Sequence, residues 1–336
     1  MRALLQERMT IAQRFESVAI SRYCQRLALA ALMCGLTACV SSGAAATVNA
    51  LPGPANPAQR VVASATGQTI SYAQLAERVA PGDVVFFGEQ HDDDESHRAE
   101  LALLEAIGER HAKVVLSLEM FERDVQPLVD AYLAGSLTEE AFRAQSRPWP
   151  NYAADYRPLV ELAKAKGWPV VAANVPRRLA SIVSRKGLIA VDSLSAADRA
   201  FVAADLQCPK DTYYDKFVAV MGGMHGGAGG AGTAPTTGAR PMADLFYESQ
   251  CVKDETMAES IVQARTRAGR TAVVVHFNGA FHSDFGLGTV SRVARRAGDA
   301  KTIVVSAVPT PDPSKAKAAE FLDRGQFIIL ARRIKP

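Results

Sequence analysis

The sequence lacks a long apolar run beyond its N-terminal segment. A helix needs about 18 consecutive apolar residues to cross a bilayer, so none is expected in the body of the chain. An excess of one charge is also missing, because 38 Lys and Arg stand against 35 Asp and Glu, with both signs interspersed. This balance gives no indication of a nucleic-acid partner. The 336 residues are 48% hydrophobic, which suffices for a large buried core.

The N-terminal segment has the order of a secretory signal. Arg22 and Arg26 precede an apolar run, which ends in Leu36-Thr-Ala-Cys39. This ending resembles a bacterial lipobox, so we expect residues 1–38 to be removed and Cys39 to be acylated. The alternative is an ordinary signal peptide with a chance cysteine. Acyl chains on Cys39 would anchor the protein in a membrane, and the absence of aspartate at position 40 favours the outer membrane.

Cysteine is scarce in the rest of the chain. Residues 39–58 are rich in small residues and proline, which predicts a flexible tether. Beyond the tether only Cys208 and Cys251 remain. Two cysteines in an oxidising compartment favour a disulfide, and the alternative is two buried free thiols.

Short apolar runs alternate with helical patterns over residues 59–336. The predicted strands cover residues 84–87, 114–118, 170–173, 271–277, 302–307 and 327–331. Such continuous apolar strands are typical of an α/β fold, with a mostly parallel sheet and helices on both faces. Helical patterns, among them residues 195–206, fill two insertions at about residues 124–168 and 190–265. We expect the insertions to form a smaller helical cap domain; the alternative is that their helices cover the sheet.

The pattern Gly-x-x-His follows two of these strands. Gly88-Glu-Gln-His91 and Gly279-Ala-Phe-His282 each close a strongly apolar run, although the chain has only six histidines. Glycine lets the backbone turn sharply off a strand end, so each histidine can point back over the sheet. The repeat predicts a duplicated βα core with both histidines in one functional site. The alternative is two structural histidines that cap loops.

Other polar side chains also lie at strand ends. The set comprises Glu89, Glu119, Asn174, His276 and Asn278. Ligands of open α/β sheets bind beyond the carboxyl ends of the strands, and a buried carboxylate needs a partner. We therefore expect a tuned acid/base group or a divalent-metal site, with Glu89, His91 and His282 as candidate metal ligands. The alternative is a buried hydrogen-bond network that fixes the loops.

Two further groups are candidates for binding residues. Arg177 opens a predicted helix, whose N-terminus attracts anions such as haem propionates, unless the arginine simply faces solvent. Tyr213, Tyr214 and His225 lie beside a glycine-rich stretch, and both residue types are known axial ligands of haem iron. The alternative for them is a loop with incidental side chains. His97, in an acidic run before a helix, is interpreted as a helix-face residue rather than a ligand.

Several motifs together resemble the ChaN-like haem-binding lipoproteins, a family grouped with the Tiki proteases and the erythromycin esterases. These motifs are the lipobox, Gly88 to Asp92, Leu118 to Met120, Trp149 to Pro158, Ala173 to Arg177 and Asp254 to Ala258. The resemblance implies an α/β fold with a smaller helical domain. It also implies haem binding for iron acquisition, through a tyrosine assisted by a histidine and across a homodimer. The candidate ligands are Tyr156, Tyr213 and Tyr214, with His225 as the assisting group.

Three functions follow as hypotheses. The leading one is a haem-binding outer-membrane lipoprotein that passes haem or iron onward, with a haem receptor as partner. The second is a hydrolase of the Tiki or erythromycin-esterase type, in which the resemblance implies that His91 and Glu119 activate water or that a divalent metal is bound. The third is an interaction module of the cell envelope, in which these residues are dispensable.

Overall fold

The computed structural model describes residues 58–225 and 240–333, which form an eight-stranded sheet covered by helices. The strands are β1 (Gln59–Ala63), β2 (Gln68–Ile70), β3 (Val84–Glu89), β4 (Val114–Glu122), β5 (Val170–Asn174), β6 (Val273–Gly279), β7 (Thr302–Thr310) and β8 (Phe327–Arg332). Their spatial order is β2-β1-β8-β7-β3-β6-β4-β5. The strands from β8 to β5 in this order are mutually parallel, and only the pairings of β1 with β2 and β8 are antiparallel. The prediction of a mostly parallel sheet is confirmed.

Helices fill the connections between the strands. The helices are α1 (Tyr72–Ala76), α2 (Asp94–Arg110), α3 (Gln126–Leu133), α4 (Glu139–Gln145), α5 (Arg157–Lys166), α6 (Arg177–Lys186), α7 (Ala196–Arg199), α8 (Thr212–His225), α9 (Met242–Ala268) and α10 (Thr289–Arg296). The helix α2 starts where the acidic run predicts it, because the Asp93 side chain accepts a hydrogen bond from the backbone N–H of Glu95.

Alternate strand residues enter two separate hydrophobic cores. Val85 and Phe87 of β3 pack into one core with residues of α1 to α5, whereas Val84 and Phe86 pack into the other with residues of α9 and α10. Successive side chains of a strand point to opposite faces, so the sheet is covered on both faces. This double burial explains why the strands have no polar alternation. The helices α3 to α5 therefore belong to the same core as the sheet.

The neighbouring strands β3 and β6 mark the point where the chain changes direction. After β3 the chain passes β6 to form β4, and after β6 it passes β3 in the other direction to form β7. The intervening helix α2 packs on one face, and α10 packs on the opposite face. A crevice opens at such a switch point beyond the carboxyl ends of the strands. Both Gly-x-x-His segments leave the sheet there.

Two parts of the fold differ from the sequence-based expectations. The first is the short antiparallel pair β1 and β2, which the strand pattern did not predict. The second is the predicted helix over residues 195–206, which is wrong beyond Arg199. The backbone N–H groups of Ala203 and Ala204 donate to the side chains of Thr256 and Glu259 on α9. Their hydrogen bonds therefore support packing against α9 and do not continue the helix.

The predicted signal sequence, Cys39 and almost all of the predicted tether lie outside the described residues. Within residues 58–225 and 240–333, no helix has the length and apolarity needed to span a membrane.

Candidate functional site at the strand ends

A cavity of about 590 Å³ lies beyond the carboxyl ends of the central strands. Its wall includes His91 and His282 from the two Gly-x-x-His segments, Glu119 from β4 and Asn174 from β5. These residues are far apart in the sequence, and the parallel register of β3, β6, β4 and β5 brings them to one edge. The structure therefore gathers most of the predicted strand-end residues around one opening.

Close backbone approaches explain the two glycines of the repeated pattern. A Cβ atom on Gly88 would lie 2.7 Å from Ser283 Oγ and 2.9 Å from Ala280 Cα. A Cβ atom on Gly279 would lie 2.6 Å from His91 Nε2. Each glycine thus makes room for the segment that leaves the neighbouring strand, and the His91 ring lies directly over Gly279.

His91 is held by a buried carboxylate. Its Nδ1 atom lies 2.5 Å from Glu89 Oε1, which also accepts a hydrogen bond of 2.8 Å from the Tyr156 hydroxyl. The ring also meets the Trp149 ring edge-on, with the centroids 4.8 Å apart. The His91 side chain remains 45% exposed, and no hydrogen-bond partner of Nε2 occurs among the residues that the structure describes. This arrangement presents Nε2 as a donor atom at the cavity.

A second histidine lies between two buried carboxylates. His282 Nδ1 is 2.7 Å from Asp254 Oδ1, and its Nε2 is 3.3 Å from Glu119 Oε1. The other Glu119 oxygen accepts a hydrogen bond of 2.8 Å from the Gly279 backbone N–H. Glu119 lies where the register of β4 against β5 shifts, and such bulges redirect side chains at functional edges.

The ionisation of these groups follows from burial and from their mutual charges. Burial lowers the pKa of His282, but the charges of Glu119 and Asp254 outweigh it and raise the pKa to about 10. Burial raises the pKa values of Glu119 and Asp254, but the charge of His282 holds both below their ordinary values. At neutral pH the cluster therefore holds a cationic imidazole between two carboxylates. Both ring nitrogens of His282 are engaged, so of the two Gly-x-x-His histidines His91 is the one with an unengaged ring nitrogen.

The three candidate tyrosines do not line the cavity. The Tyr213 hydroxyl donates to Asp254 Oδ2 at 2.8 Å, and the Tyr214 hydroxyl donates to Asp244 Oδ1 at 2.7 Å. Burial and then the charge of Asp254 raise the pKa of Tyr213. The pKa of Tyr214 is raised chiefly by its hydrogen bond to Asp244, and the pKa of Tyr156 is raised chiefly by burial. Each phenol thus keeps its proton, and each hydroxyl is directed to a carboxylate.

The other predicted residues are distributed around the site. Asn174 lines the cavity and donates to the Glu119 carbonyl at 3.2 Å. Asn278 is buried behind the cavity and donates to Ser283 Oγ at 3.0 Å. His276 is buried inside the sheet 2.9 Å from Ser117 Oγ, and burial lowers its pKa to about 3. His225 is the last residue of α8, and its side chain lies outside the described part of the chain. The structure therefore separates His276 and Asn278 from the cavity wall.

One wall of the cavity is apolar and its rim carries two cations. Phe217, Val220 and Met221 of α8 contribute to the wall. Arg177, the first residue of α6, and Lys253 of α9 also line the opening. Neither cation has an ion-pair partner within the described residues. The cavity thus offers apolar contact together with two positive charges for an anionic ligand.

Sequence reasoning missed two carboxylates that hold histidines at or near the cavity. The strand-end pattern does not identify Asp254, although it is fully buried and holds His282. Glu100 was not singled out, although it lies 3.0 Å from His97, which itself is buried beneath His91. The spacing of His97 and Glu100, three residues apart on one helix, is a signal that could have found the second pair.

Cys208 and Cys251 form a disulfide with Cα atoms 5.7 Å apart. The bond ties the segment before α8 to the middle of α9, two residues from Lys253. It therefore fixes the polypeptide that leads into the apolar wall.

Comparisons with known proteins confirm the resemblance. A family model described as haem-binding uptake, Tiki superfamily, ChaN matches residues 75–293. The chloroplastic protein RETICULATA-RELATED 5 of Arabidopsis thaliana is 23% identical over 242 residues, which are 68% of this chain and 31% of that protein. The chain thus spans about a third of that relative. A structure of ChaN from Campylobacter jejuni with cofacial haem binding aligns at 13% identity and a TM-score of 0.57, over 83% of this chain and 98% of that chain. This last likeness is one of fold.

Proposed function

The chain belongs to the ChaN family of haem-binding uptake proteins in the Tiki superfamily, and we propose that it binds haem in the strand-end cavity. The observation that carries this proposal is the coincidence around one opening of an apolar wall, an accessible imidazole and two cations without an ion-pair partner in the described part of the chain. A porphyrin needs apolar contact for its ring, cations for its propionates and a donor for its iron.

The described residues fit the chemistry of haem. Phe217, Val220 and Met221 would contact the porphyrin ring, and Arg177 and Lys253 would neutralise carboxylates. When bound, haem supplies a ferric iron that accepts an axial ligand. The chain itself supplies the ligand, excludes water from the apolar face and balances the charge.

His91 is the residue whose position best fits a ligand to haem iron. Its Nδ1 bond to Glu89 fixes the ring and directs Nε2 to the cavity, and a carboxylate partner raises the basicity of a ligating imidazole. The resemblance favours a tyrosine instead. In this chain Tyr156 and Tyr213 would first have to release a carboxylate and become exposed.

A haem titration followed by absorption tests whether the protein binds haem and whether His91 or a tyrosine is the iron ligand. We expect a Soret band for the purified protein and a loss of affinity of more than about tenfold in His91→Ala. Tyr156→Phe, Tyr213→Phe and Tyr214→Phe should each bind within about twofold of the unmodified protein. His111→Ala is the matched control, because His111 lies outside the cavity wall. Loss of binding in one tyrosine variant, with His91→Ala unaffected, would move the ligand to that tyrosine.

We further propose that acylated Cys39 anchors the protein to the outer membrane, where it serves haem or iron acquisition. The lipobox and the residue at position 40 support this location. In a Gram-negative host the chain with its natural sequence should incorporate labelled palmitate and fractionate with the outer membrane. Cys39→Ser should do neither. Palmitate in the Cys39→Ser chain would contradict the anchor.

The family resemblance supports haem transfer to a receptor and a haem-bound homodimer as further parts of the proposal. Haem addition should then shift the purified protein from monomer to dimer in sedimentation. An unchanged mass at saturating haem would remove the dimer from the proposal.

A hydrolase is the second candidate, and the bond between Glu89 and His91 favours it. A half-exposed imidazole oriented by a buried carboxylate has the form of a general base. Glu119 is less suited to activating water, because both its oxygens are engaged by Gly279 and His282. Hydrolysis of an ester or peptide panel that disappears in His91→Ala would support this function over transport.

A further inference from the structure

A second polar cluster lies behind His91, beneath the cavity floor. Glu89, His97 and Glu100 are all buried, and one donor atom from each lies within 4.8 Å of the other two. His97 Nδ1 is 3.0 Å from Glu89 Oε2 and 3.0 Å from Glu100 Oε2. The helix α2 supplies His97 and Glu100 from one face, and β3 supplies Glu89.

Hydrogen bonds within the described residues satisfy this cluster only in part. One proton on His97 Nδ1 can serve one carboxylate, and the hydrogen bond goes to Glu100. Glu89 Oε2 and Glu100 Oε1 are then buried without a hydrogen-bond partner among the described residues. A buried carboxylate oxygen that is left unpaired is costly. Glu89 and Glu100 flank the same imidazole nitrogen, so a cation bound at this point would contact both carboxylates.

The other side of His97 has the environment of a metal ligand. Its Nε2 lies 3.3 Å from the backbone oxygen of His91 and 3.6 Å from Asp155 Oδ2. On metal binding Nδ1 would release its proton, and its lone pair would face the two carboxylates while the proton on Nε2 still donates to that carbonyl. Metal-binding histidines donate their second N–H to a carbonyl or carboxylate in this way.

We propose that Glu89, His97 and Glu100 bind one divalent transition-metal ion, of which Zn²⁺ is the probe. In a tetrahedral zinc site with bonds of about 2.0–2.1 Å, neighbouring ligand atoms are roughly 3.3 Å apart. The two separations of 3.0 Å from His97 Nδ1 approach this value. Two carboxylates balance the charge of the ion, and the imidazole, after release of its Nδ1 proton, completes a nitrogen and oxygen donor set that suits Zn²⁺.

The metal site is distinct from the haem cavity, although Glu89 belongs to both. Its Oε1 atom faces His91 and Tyr156, whereas its Oε2 atom faces His97. A bound ion would fix the Glu89 carboxylate and through it the orientation of His91. The ion would therefore be a positioning element behind the cavity and not the reacting centre.

Metal analysis of the purified chain tests the proposal without haem. After removal of metal with a chelator, we expect one Zn²⁺ per chain by calorimetry and mass spectrometry, with a raised melting temperature. Co²⁺ in place of Zn²⁺ should give the visible bands of a nitrogen- and oxygen-ligated ion. Binding of no Zn²⁺, or of Zn²⁺ without stoichiometry or stabilisation, overturns the proposal.

Variants locate the ion. His97→Gln and Glu100→Gln should weaken Zn²⁺ binding by more than about 100-fold, since each removes a ligand. Glu100→Asp, which keeps the charge and shortens the reach, gives a milder second variant that should still weaken binding. The exposed Glu105→Gln on the same helix is the matched control.

His91→Ala separates this proposal from the haem proposal. It should lose haem and keep Zn²⁺. Loss of Zn²⁺ in His91→Ala, with full binding in Glu100→Gln and Glu100→Asp, would place the ion in the cavity and overturn the assignment. A chain that binds Zn²⁺ as expected but no haem would contradict only the haem proposal.

Discussion

The buried cation His282 makes a defined contribution to stability that depends on pH. Its pKa is about 10 in the folded chain against an ordinary value of 6.5. A pKa raised by folding stabilises the protein fully below pH 6.5, and this stability is lost as the pH rises through 10. At about 1.4 kcal/mol per pKa unit, the loss between pH 7 and pH 10 is about 3 kcal/mol.

The carboxylates on either side of His282 make the stability depend on pH in the opposite direction. Folding lowers the pKa values of Glu119 and Asp254, so their stabilisation is present above their ordinary values and is lost as the pH falls below them. The cluster therefore predicts a stability maximum between about pH 5 and pH 6.5, with a decline on both sides.

Urea unfolding of the unsubstituted chain and of His282→Gln, each at pH 7 and pH 10, measures the pH-dependent stabilisation by His282. The free energy of unfolding should fall more steeply with pH in the unmodified chain, by about 3 kcal/mol. His111→Gln serves as a control, because it should keep the full pH dependence. Equal slopes in the unmodified chain and His282→Gln would refute the buried cation. If His282→Gln does not fold, the imidazole C–H resonance of the unmodified chain gives the pKa directly, and titration near 6.5 would refute it.

Two further predictions concern the cavity wall and its disulfide. Gly279→Ala should push the His91 ring away and weaken haem binding by about tenfold or more, because the added Cβ would lie 2.6 Å from Nε2. Gly298→Ala, whose nearest neighbour atom is 4.0 Å away, should leave haem titrations unchanged, and equal behaviour of the two variants would contradict the ring position. Replacing Cys208 and Cys251 by serine opens a 43-residue link and should lower the free energy of unfolding by up to about 4 kcal/mol. Unchanged denaturant melts would contradict a stabilising disulfide.

The sequence predicted the architecture well where one physical signal dominates. Continuous apolar runs identify strands buried on both faces, and all six predicted strands occur. The parallel arrangement then brings strand ends together, so the convergence of His91, Glu119, Asn174 and His282 could be expected before their distances were known. The sequence pattern did not predict the short pair β1 and β2, because a three-residue edge strand such as Gln68–Ile70 carries little apolar signal.

The details of the site depend on contacts that no local pattern encodes. The position of Tyr213 beside a glycine-rich stretch is compatible with a side chain that faces the cavity. In the structure α8 packs against α9, and the Tyr213 hydroxyl donates to Asp254 instead. The role of Asp254 likewise depends on which face of a 27-residue helix meets the strand ends. Its burial beside His282 is a tertiary contact.

The site gains its fixed geometry by placing polar groups where an apolar core would be more stable. Replacing buried ion pairs by apolar residues often stabilises a protein, yet this chain gathers Glu89, Glu119 and Asp254 at one edge of its sheet. Each carboxylate holds a histidine, and the pairs of Glu119 and Asp254 with His282 join segments from different parts of the chain. Of these histidines, only His91 keeps a ring nitrogen free of hydrogen bonds among the described residues. Glu89 thus supports the accessible Nε2 atom of His91, whereas Glu119 and Asp254 fix His282 beside it.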